Sequence, residues 1–261
     1  KKMVSIQLID NIKVSVITPT FNDELFIKET IESILNQTHK NVEVIVVDDC
    51  STDNTINIIN SFNDSRIKLI RNKTNQGAAY SRNLALSLAS GEYIAFLDGD
   101  DLWKNDKLSK QLQFMLDNNY QFTYTKYSVI KDDEKYDVSG PKKISHKSFM
   151  RMNYVGCLTV VYKKSLYPDL QIPNDIYKRN DYALWLKLSE KADCYLLDEV
   201  LSKYRRRTAN SISSGKKNKL LHFHRVMFQK LYGFSYFKAS LLSLRNALYY
   251  LFRKRKFIKK K

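Results

Sequence analysis

Three carboxylates crowd into four positions where an apolar run stops: Asp98, Asp100 and Asp101 in FLDGDD, with Gly99 between the first two. Charges this close repel unless a divalent cation neutralises them, and an oxygen-only set suits Mg²⁺ or Mn²⁺. Such ions keep coordination positions open for substrate phosphates. A second acidic pair, Asp48-Asp49, ends the run VEVIVV, and Pro19-Thr20-Phe21-Asn22 follows VSVIT. Taken singly, either acidic cluster could be a helix cap or a solvated turn. Two clusters at strand ends on one edge favour a metal that arrives with a diphosphate, and Gly99 would let backbone approach that ligand closely. Neither GxxxxGK[ST] nor GxGxxG occurs, so the P-loop and dinucleotide readings fall away.

These clusters need a scaffold that brings strand ends together. VSVIT (14–18) is a β-branched run ended by Pro19, hence a strand and a turn. Glu24 to Gln37 sets Ile27, Ile31, Ile34 and Leu35 at helical spacing. VEVIVV (42–47) is nearly all apolar, as in a strand covered on both faces, and Ser51 or Thr52 could cap a helix through Phe62. IKLI (67–70) predicts a third strand, Gln76 to Ala89 a helix, EYIAFL (92–97) a fourth strand, and Asn105 to Leu116 a further helix. The alternation predicts an α/β fold, a mostly parallel central sheet with helices on both faces. Such sheets bind ligands at the carboxyl ends of their strands.

After Tyr120 the pattern changes. FTYTKYSVI and KYDVS predict antiparallel strands around a polar hairpin, GCLTVVY (156–162) a buried strand, and DYALWLKLSE (181–190) a helix. Short strands are expected near CYLL and VLSKY, then two amphipathic helices over 216–254, the second with Phe237, Leu241, Leu244, Leu248 and Leu251 on one face.

The chain has 261 residues and a net charge of +17, and the excess is confined to one end. Ser202–Lys261 holds 18 Lys and Arg and no Asp or Glu, while the first 201 residues are close to neutral. Cysteines 50, 157 and 194 lack metal-ligand spacing and favour a reducing compartment. No apolar stretch suits a signal peptide or a membrane span, so a cytoplasmic protein with a basic end is expected. His39, His146, His222 and His224 have no ligand-like neighbours and are read as non-catalytic.

Five blocks follow one another in order: VSVITPTFN, VEVIVVDDCSTDNT, NQGAAYSRNLAL, GEYIAFLDGDDLW and KRNDYALWLKLS. Together they resemble the family 2 glycosyltransferases, bacterial inverting enzymes of GT-A fold that use nucleotide-activated sugars. The resemblance covers residues 13–210, and its later blocks are similar to the branch that builds teichuronic acid, capsule or O-antigen chains. It implies a Rossmann-like GT-A domain at 13–214, with a nucleotide-binding half (13–119) and an acceptor-binding half (120–214). Residues 1–12 would be an N-terminal extension and 215–261 a basic amphipathic helical tail.

The resemblance also implies roles. Pro19 and Phe21 would line a uracil slot, with Thr20 and Gly99 beside the nucleotide, and Asp49 would accept a hydrogen bond from the base. Asp48 would brace the turn and Arg82 would lie near the diphosphate. Asp98 would approach the ribose or the metal, Asp100 would be the principal Mn²⁺ or Mg²⁺ ligand, and Asp101 would support them from behind. Asp181, in RNDYALW, would be the general base that takes the acceptor hydroxyl's proton; the bare alternative is a helix N-cap. Asn153 and Thr159 fall in a stretch expected near the acceptor. YRRRTANSIS (204–213) departs from the family pattern, with Arg207 where a His often stands. Arg205 and Arg207 could meet phosphate, or form a solvated basic strand end.

The expected partners are a nucleotide-sugar donor, UDP-linked by resemblance, a glycan or lipid-linked acceptor, and an anionic membrane surface met by the basic tail. That places the protein on the inner face of the cell membrane, unless the helices pack on the catalytic body or a second subunit. No groove-reading module for nucleic acid is visible. The competing class is a non-catalytic nucleotide-sugar or polyanion-binding protein on the same scaffold.

Overall fold

Strands β1 (Val14–Thr20) and β2 (Val42–Asp48) are buried at every position, as continuous β-branched runs require when both faces of a sheet are covered. The computed structural model describes residues 9–131, 134–206, 217–253 and 257–260. Among them, one mixed sheet collects 11 strands. Its first half is parallel, in the order β3 (Ile67–Arg71), β2, β1, β4 (Tyr93–Phe96). Beyond β4 lie β9 (Val161–Lys163), β6 (Phe122–Lys131), β7 (Glu134–Val138) and β11 (Ile258–Lys260), each antiparallel to its neighbour. β10 (Cys194–Arg205) runs parallel to β6 and antiparallel to the short β5 (Leu102–Trp103) and β8 (Lys143–Ile144).

Period-two alternation divides the core. Val14, Val16, Val44 and Val46 face α1 (Ile27–Leu35) and α4 (Lys107–Asn118), through Ile27, Ile31, Ile34, Leu108, Leu112 and Met115. Ile17, Ile45, Val47 and Phe96 face α3 (Ala78–Leu88) and α6 (Asn180–Ser189). Trp185 of α6 meets Phe96 edge-on, ring centroids 5.2 Å apart. α7 (Lys217–Tyr232) brings Met227 and Phe228 into the same core, and α8 (Tyr236–Arg253) brings Ala239. α5 (His146–Phe149) closes it with Phe149.

Several elements differ from expectation for local reasons. β1 continues through Pro19, because the absent N–H lies on the β4 side, where β4 has already ended; the Pro19 carbonyl there accepts from Gly99 N at 3.2 Å. The helix expected from Ser51 or Thr52 begins only at Thr55 (α2, Thr55–Asn60). Ser51 instead gives its hydroxyl oxygen to Asn22 N (2.9 Å), and Asp53 Oδ1 accepts from Thr55 N (3.0 Å). GCLTVVY splits into a 3-10 turn, Cys157–Thr159, and β9. CYLL and VLSKY are one strand, β10, whose register against β6 shifts twice between Leu197 and Ser202. Such bulges hide a long strand in a sequence. Ile9 and Ile12, in the stretch expected as an extension, are buried in the core.

Candidate active site

The carboxyl ends of β1, β2 and β4 lie side by side, as their parallel pairing demands. At the end of β2, Asp48 is fully buried; its Oδ2 accepts from Ser51 N (3.0 Å) and lies 3.5 Å from Arg71 Nε. This braces a turn that includes Cys50 at φ 66°. Asp49 turns toward α3. Its Oδ1 accepts from Asn72 Nδ2 (2.8 Å) and Gln76 N (2.8 Å), and its Oδ2 from Gly77 N (2.7 Å). Two of these donors tie the β2 end to the start of α3 and Asn72 ties it to the end of β3, and Oδ2 keeps a lone pair for one further donor.

At the end of β1, Thr20 is buried and donates to Asp23 Oδ2 (2.7 Å), which also accepts from Phe21 N (3.2 Å). Phe21 stands out into solvent, 43% exposed. Gly99 is required here by neighbouring side chains: an added Cβ would lie 2.4 Å from Asp23 Oδ2 and 2.7 Å from Thr20 Oγ1. The close approach expected with a ligand is thus made within the protein, and it locks the β1 and β4 loops together.

The end of β4 is tied to α6 by one arginine. Arg82, buried on α3, donates through Nη2 to Asp98 Oδ1 and through Nη1 to Asn180 Oδ1, the first residue of α6. Burial alone would disfavour its charge. Asp98 beside it, with Asp181 adding to the negative field, more than offsets this and raises its pKa. Cys157 Sγ lies 4.0 Å from Asp98 Oδ1, and burial together with Asp98 pushes the thiol well up. Asp181 sits in the first turn of α6, partly exposed, and Arg179 before it adopts φ 67°, a left-handed conformation costly for a non-glycine residue. Arg82 therefore ties Asp98 at the end of β4 to Asn180, the residue before Asp181.

Asp100 is partly exposed, whereas Asp101 is 2% exposed and its Oδ1 accepts from Arg205 N (3.0 Å). Burial, with Asp100 and Asp98 close by, pushes the Asp101 carboxyl well above the ordinary carboxylate range. The Arg205 side chain pairs with Glu29 and covers the Phe26 ring. Arg207 lies outside the described residues. Asn153 is partly exposed and its Oδ1 accepts from Val155 N (3.0 Å). Thr159 is fully buried, its hydroxyl donating to Gly156 O (2.7 Å).

Among the described residues no group of three or more His, Cys, Asp or Glu side chains could by itself enclose a metal ion. The donor set nevertheless fits a Mg²⁺-type ion, which binds through one or two carboxylates and takes its remaining ligands from phosphate and water. Asp100 and the second oxygen of Asp98 offer that pair.

Sequence reading missed Asn180, Asn72 and Asp23. Asn180 stands beside the singled-out Asp181, and Asn72 follows the third strand just as Asp49 ends the second. Asp23 lies three residues beyond Thr20, a common spacing for a side chain that ties a turn.

A parallel α/β half continued by an antiparallel half, with carboxylate clusters at the ends of β2 and β4, is an architecture of GT-A type. The chain belongs to glycosyl transferase family 2, whose pattern matches residues 15–167, and it is a glycosyltransferase. It is 42% identical over 210 residues to a Bacillus subtilis protein named as teichuronic acid biosynthesis glycosyltransferase TuaG, covering 78% of this chain and 82% of that one. It is 40% identical to the Escherichia coli UDP-Glc:alpha-D-GlcNAc-diphosphoundecaprenol beta-1,3-glucosyltransferase WfgD, covering 81% and 83%. Its fold matches S. aureus TarS 1–349 in complex with UDP, with TM-score 0.70 and 22% identity, covering 94% and 73%. It also matches the mannosyltransferase PcManGT of Pyrobaculum calidifontis in complex with GDP-Man and Mn2+, with TM-score 0.63 and 19% identity, covering 92% and 70%.

Proposed function

We propose that this glycosyltransferase moves a sugar from a UDP-sugar to a hydroxyl of a lipid-linked saccharide in the assembly of a bacterial surface polysaccharide, with inversion. The observation that carries the reading is the Arg82 bridge, which joins Asp98 of the donor side to Asn180, next to Asp181. The names of the relatives support the acceptor class, and the UDP held by TarS supports the donor.

In this reading the uracil lies between Phe21 and the β2 end, where Asp49 Oδ2 has one acceptor position left. Pro19 and Thr20 shape the slot's floor. Asp100 and Asp98 would hold Mn²⁺ or Mg²⁺, which supplies charge neutralisation to the diphosphate. Asp101 fixes the acidic loop to β10 from beneath. Asp181 accepts the proton of the acceptor hydroxyl as that oxygen bonds to the anomeric carbon, while the bond to the diphosphate oxygen breaks on the opposite face. Arg82 holds Asn180, and so the start of α6, at a set distance from Asp98. Asn153 lies on the acceptor side. The basic C-terminal stretch holds the enzyme at the anionic inner face of the membrane, where such acceptors reside.

The test is turnover of a panel of nucleotide sugars with Mn²⁺ and a saccharide-diphosphate-lipid acceptor, with the product's anomeric configuration read by NMR. Transfer from a uridine donor with inversion is expected. Turnover confined to guanosine or thymidine donors, or retention of configuration, would overturn the reading.

A further inference from the structure

α8 is amphipathic in the inverse sense. Its inner face packs through Ala239, Ser243 and Asn246, all buried. The opposite arc carries Phe237 (73% exposed), Leu241 (53%), Leu244 (50%), Leu248 (46%), Leu251 (65%) and Phe252 (82%). At 100° per residue these six fall within a sector of roughly 100° that contains no charged residue. A surface helix ordinarily turns such a stripe to the core; this one presents it to solvent.

We infer that this outer face of α8 is a docking surface that lies in the interfacial plane of an anionic lipid bilayer. Three observations point to lipid. No helix among the described residues is long and apolar enough to cross a membrane, so the stripe suits an in-plane position. Ser202–Lys261 carries 18 basic residues and no acid, which complements anionic headgroups. The same charge opposes a second copy, because self-association through α8 would bring like-charged flanks together.

The inference rests on the lipid-linked acceptor reading and deepens it. α8 is bonded just ahead of the segment expected near the acceptor (153–159): Arg245 Nη2 (2.8 Å) and Asn246 Nδ2 (3.1 Å) both donate to Met150 O. The Arg151 guanidinium stacks over the Tyr249 ring (5.7 Å), and Phe257 meets Tyr154 edge-on (5.9 Å). Docking α8 therefore sets Met150–Val155 at headgroup depth. The acceptor class this favours is a short saccharide on a lipid diphosphate, its reacting hydroxyl close to the membrane surface.

The experiment uses the full chain, with Leu244→Glu/Leu248→Glu as the variant. Both leucines are exposed, and neither is among the candidate site residues. Co-sedimentation is measured with vesicles of 30% phosphatidylglycerol in phosphatidylcholine and with phosphatidylcholine alone. Transfer is measured to a bilayer-embedded saccharide-diphosphate-lipid and to a short-chain, water-soluble analogue. The wild type is expected to bind the anionic vesicles more tightly than the neutral ones. The variant should lose partitioning and transfer to the embedded acceptor by roughly tenfold or more, with transfer to the soluble analogue unchanged. Unchanged sedimentation of the variant would overturn the inference, and so would a wild-type dimer, seen by light scattering, that becomes monomeric in the variant. Absence of transfer to both acceptors with vesicle binding intact would overturn the function reading and leave the docking surface standing.

Discussion

The parallel half of the sheet and the half beyond β4 obey different rules. In β3-β2-β1-β4 every connection returns parallel, both faces of β1, β2 and β4 are covered, and the strand ends converge on one edge. Nearly every polar group at that edge is answered from within the same half: Asp49 by Asn72, Gln76 and Gly77, and Thr20 by Asp23. Beyond β4 the strands reverse, β10 is twice bulged, and the chemistry-bearing residues come from a turn and a helix start. The edge of the parallel half is preformed by topology, while the turn and helix start beyond β4 are held in place by a few long-range ties. Arg82 is the strongest of those ties, and cutting it should affect both halves.

Arg82→Met should have the largest effect. It leaves Asp98 and Asn180 without their shared donor; Arg82 is buried and Asp98 partly exposed, so the cost should be about 3 kcal/mol, the low end for a buried pair. Denaturant unfolding measures the loss, and transfer should fall even where the variant is folded. A loss under about 1 kcal/mol would mean that the halves are held elsewhere. Next is Asp100→Ala. UDP binding by calorimetry should become independent of Mn²⁺, losing roughly 100-fold in affinity, about 2.7 kcal/mol, with stability unchanged; a retained metal response would remove Asp100 from the ion's ligands. Gly99→Ala places a Cβ 2.4 Å from Asp23 Oδ2 and should cost about 1–3 kcal/mol through displacement of the β1 loop. Its thermal shift should be accompanied by weaker UDP binding, since in the proposed function the same loop frames the nucleotide.

The smallest effect is a pH slope at the seam. Lys107 of α4 is fully buried, donates to Gln111 Oε1 (2.8 Å) and lies 4.3 Å over the Trp103 ring. Gln111 in turn donates to Thr123 Oγ1 and Thr159 O, both at 3.0 Å, so α4 holds the 3-10 turn Cys157–Thr159 beyond β4. Burial lowers the Lys107 pKa to about 7. Above that pH the folded protein sheds this proton while the unfolded chain keeps it to about pH 10, so Lys107's contribution to stability rises with pH. The gain should be about 1 kcal/mol between pH 7 and 8, and the slope should be absent in Lys107→Met. An identical slope in both proteins would place the titration at another group.

The same contrast explains what could be read from residues alone. β1, β2 and β4 announce themselves because buried parallel strands are written as unbroken apolar runs, and their last residues name the edge. Asp49's three donors lie 23 to 28 residues further on, and Asn180 meets Arg82 across 98 residues. No local periodicity carries such pairings. β10 escaped as a single strand because its bulges break the alternation that would reveal it. α8 was legible as an amphipathic helix, but periodicity gives the stripe and not its direction. Only packing shows that Ala239 and Asn246 face inward while Phe237 and Leu248 face out.

The central claim is that Asp181 takes the acceptor's proton in a site where the donor is held by other residues. Asp181→Asn keeps the side chain's shape and removes the base, so kcat should fall about 10²–10⁴-fold while UDP affinity stays within about twofold. Transfer at near wild-type rates, or an equal loss of UDP binding, would contradict the account.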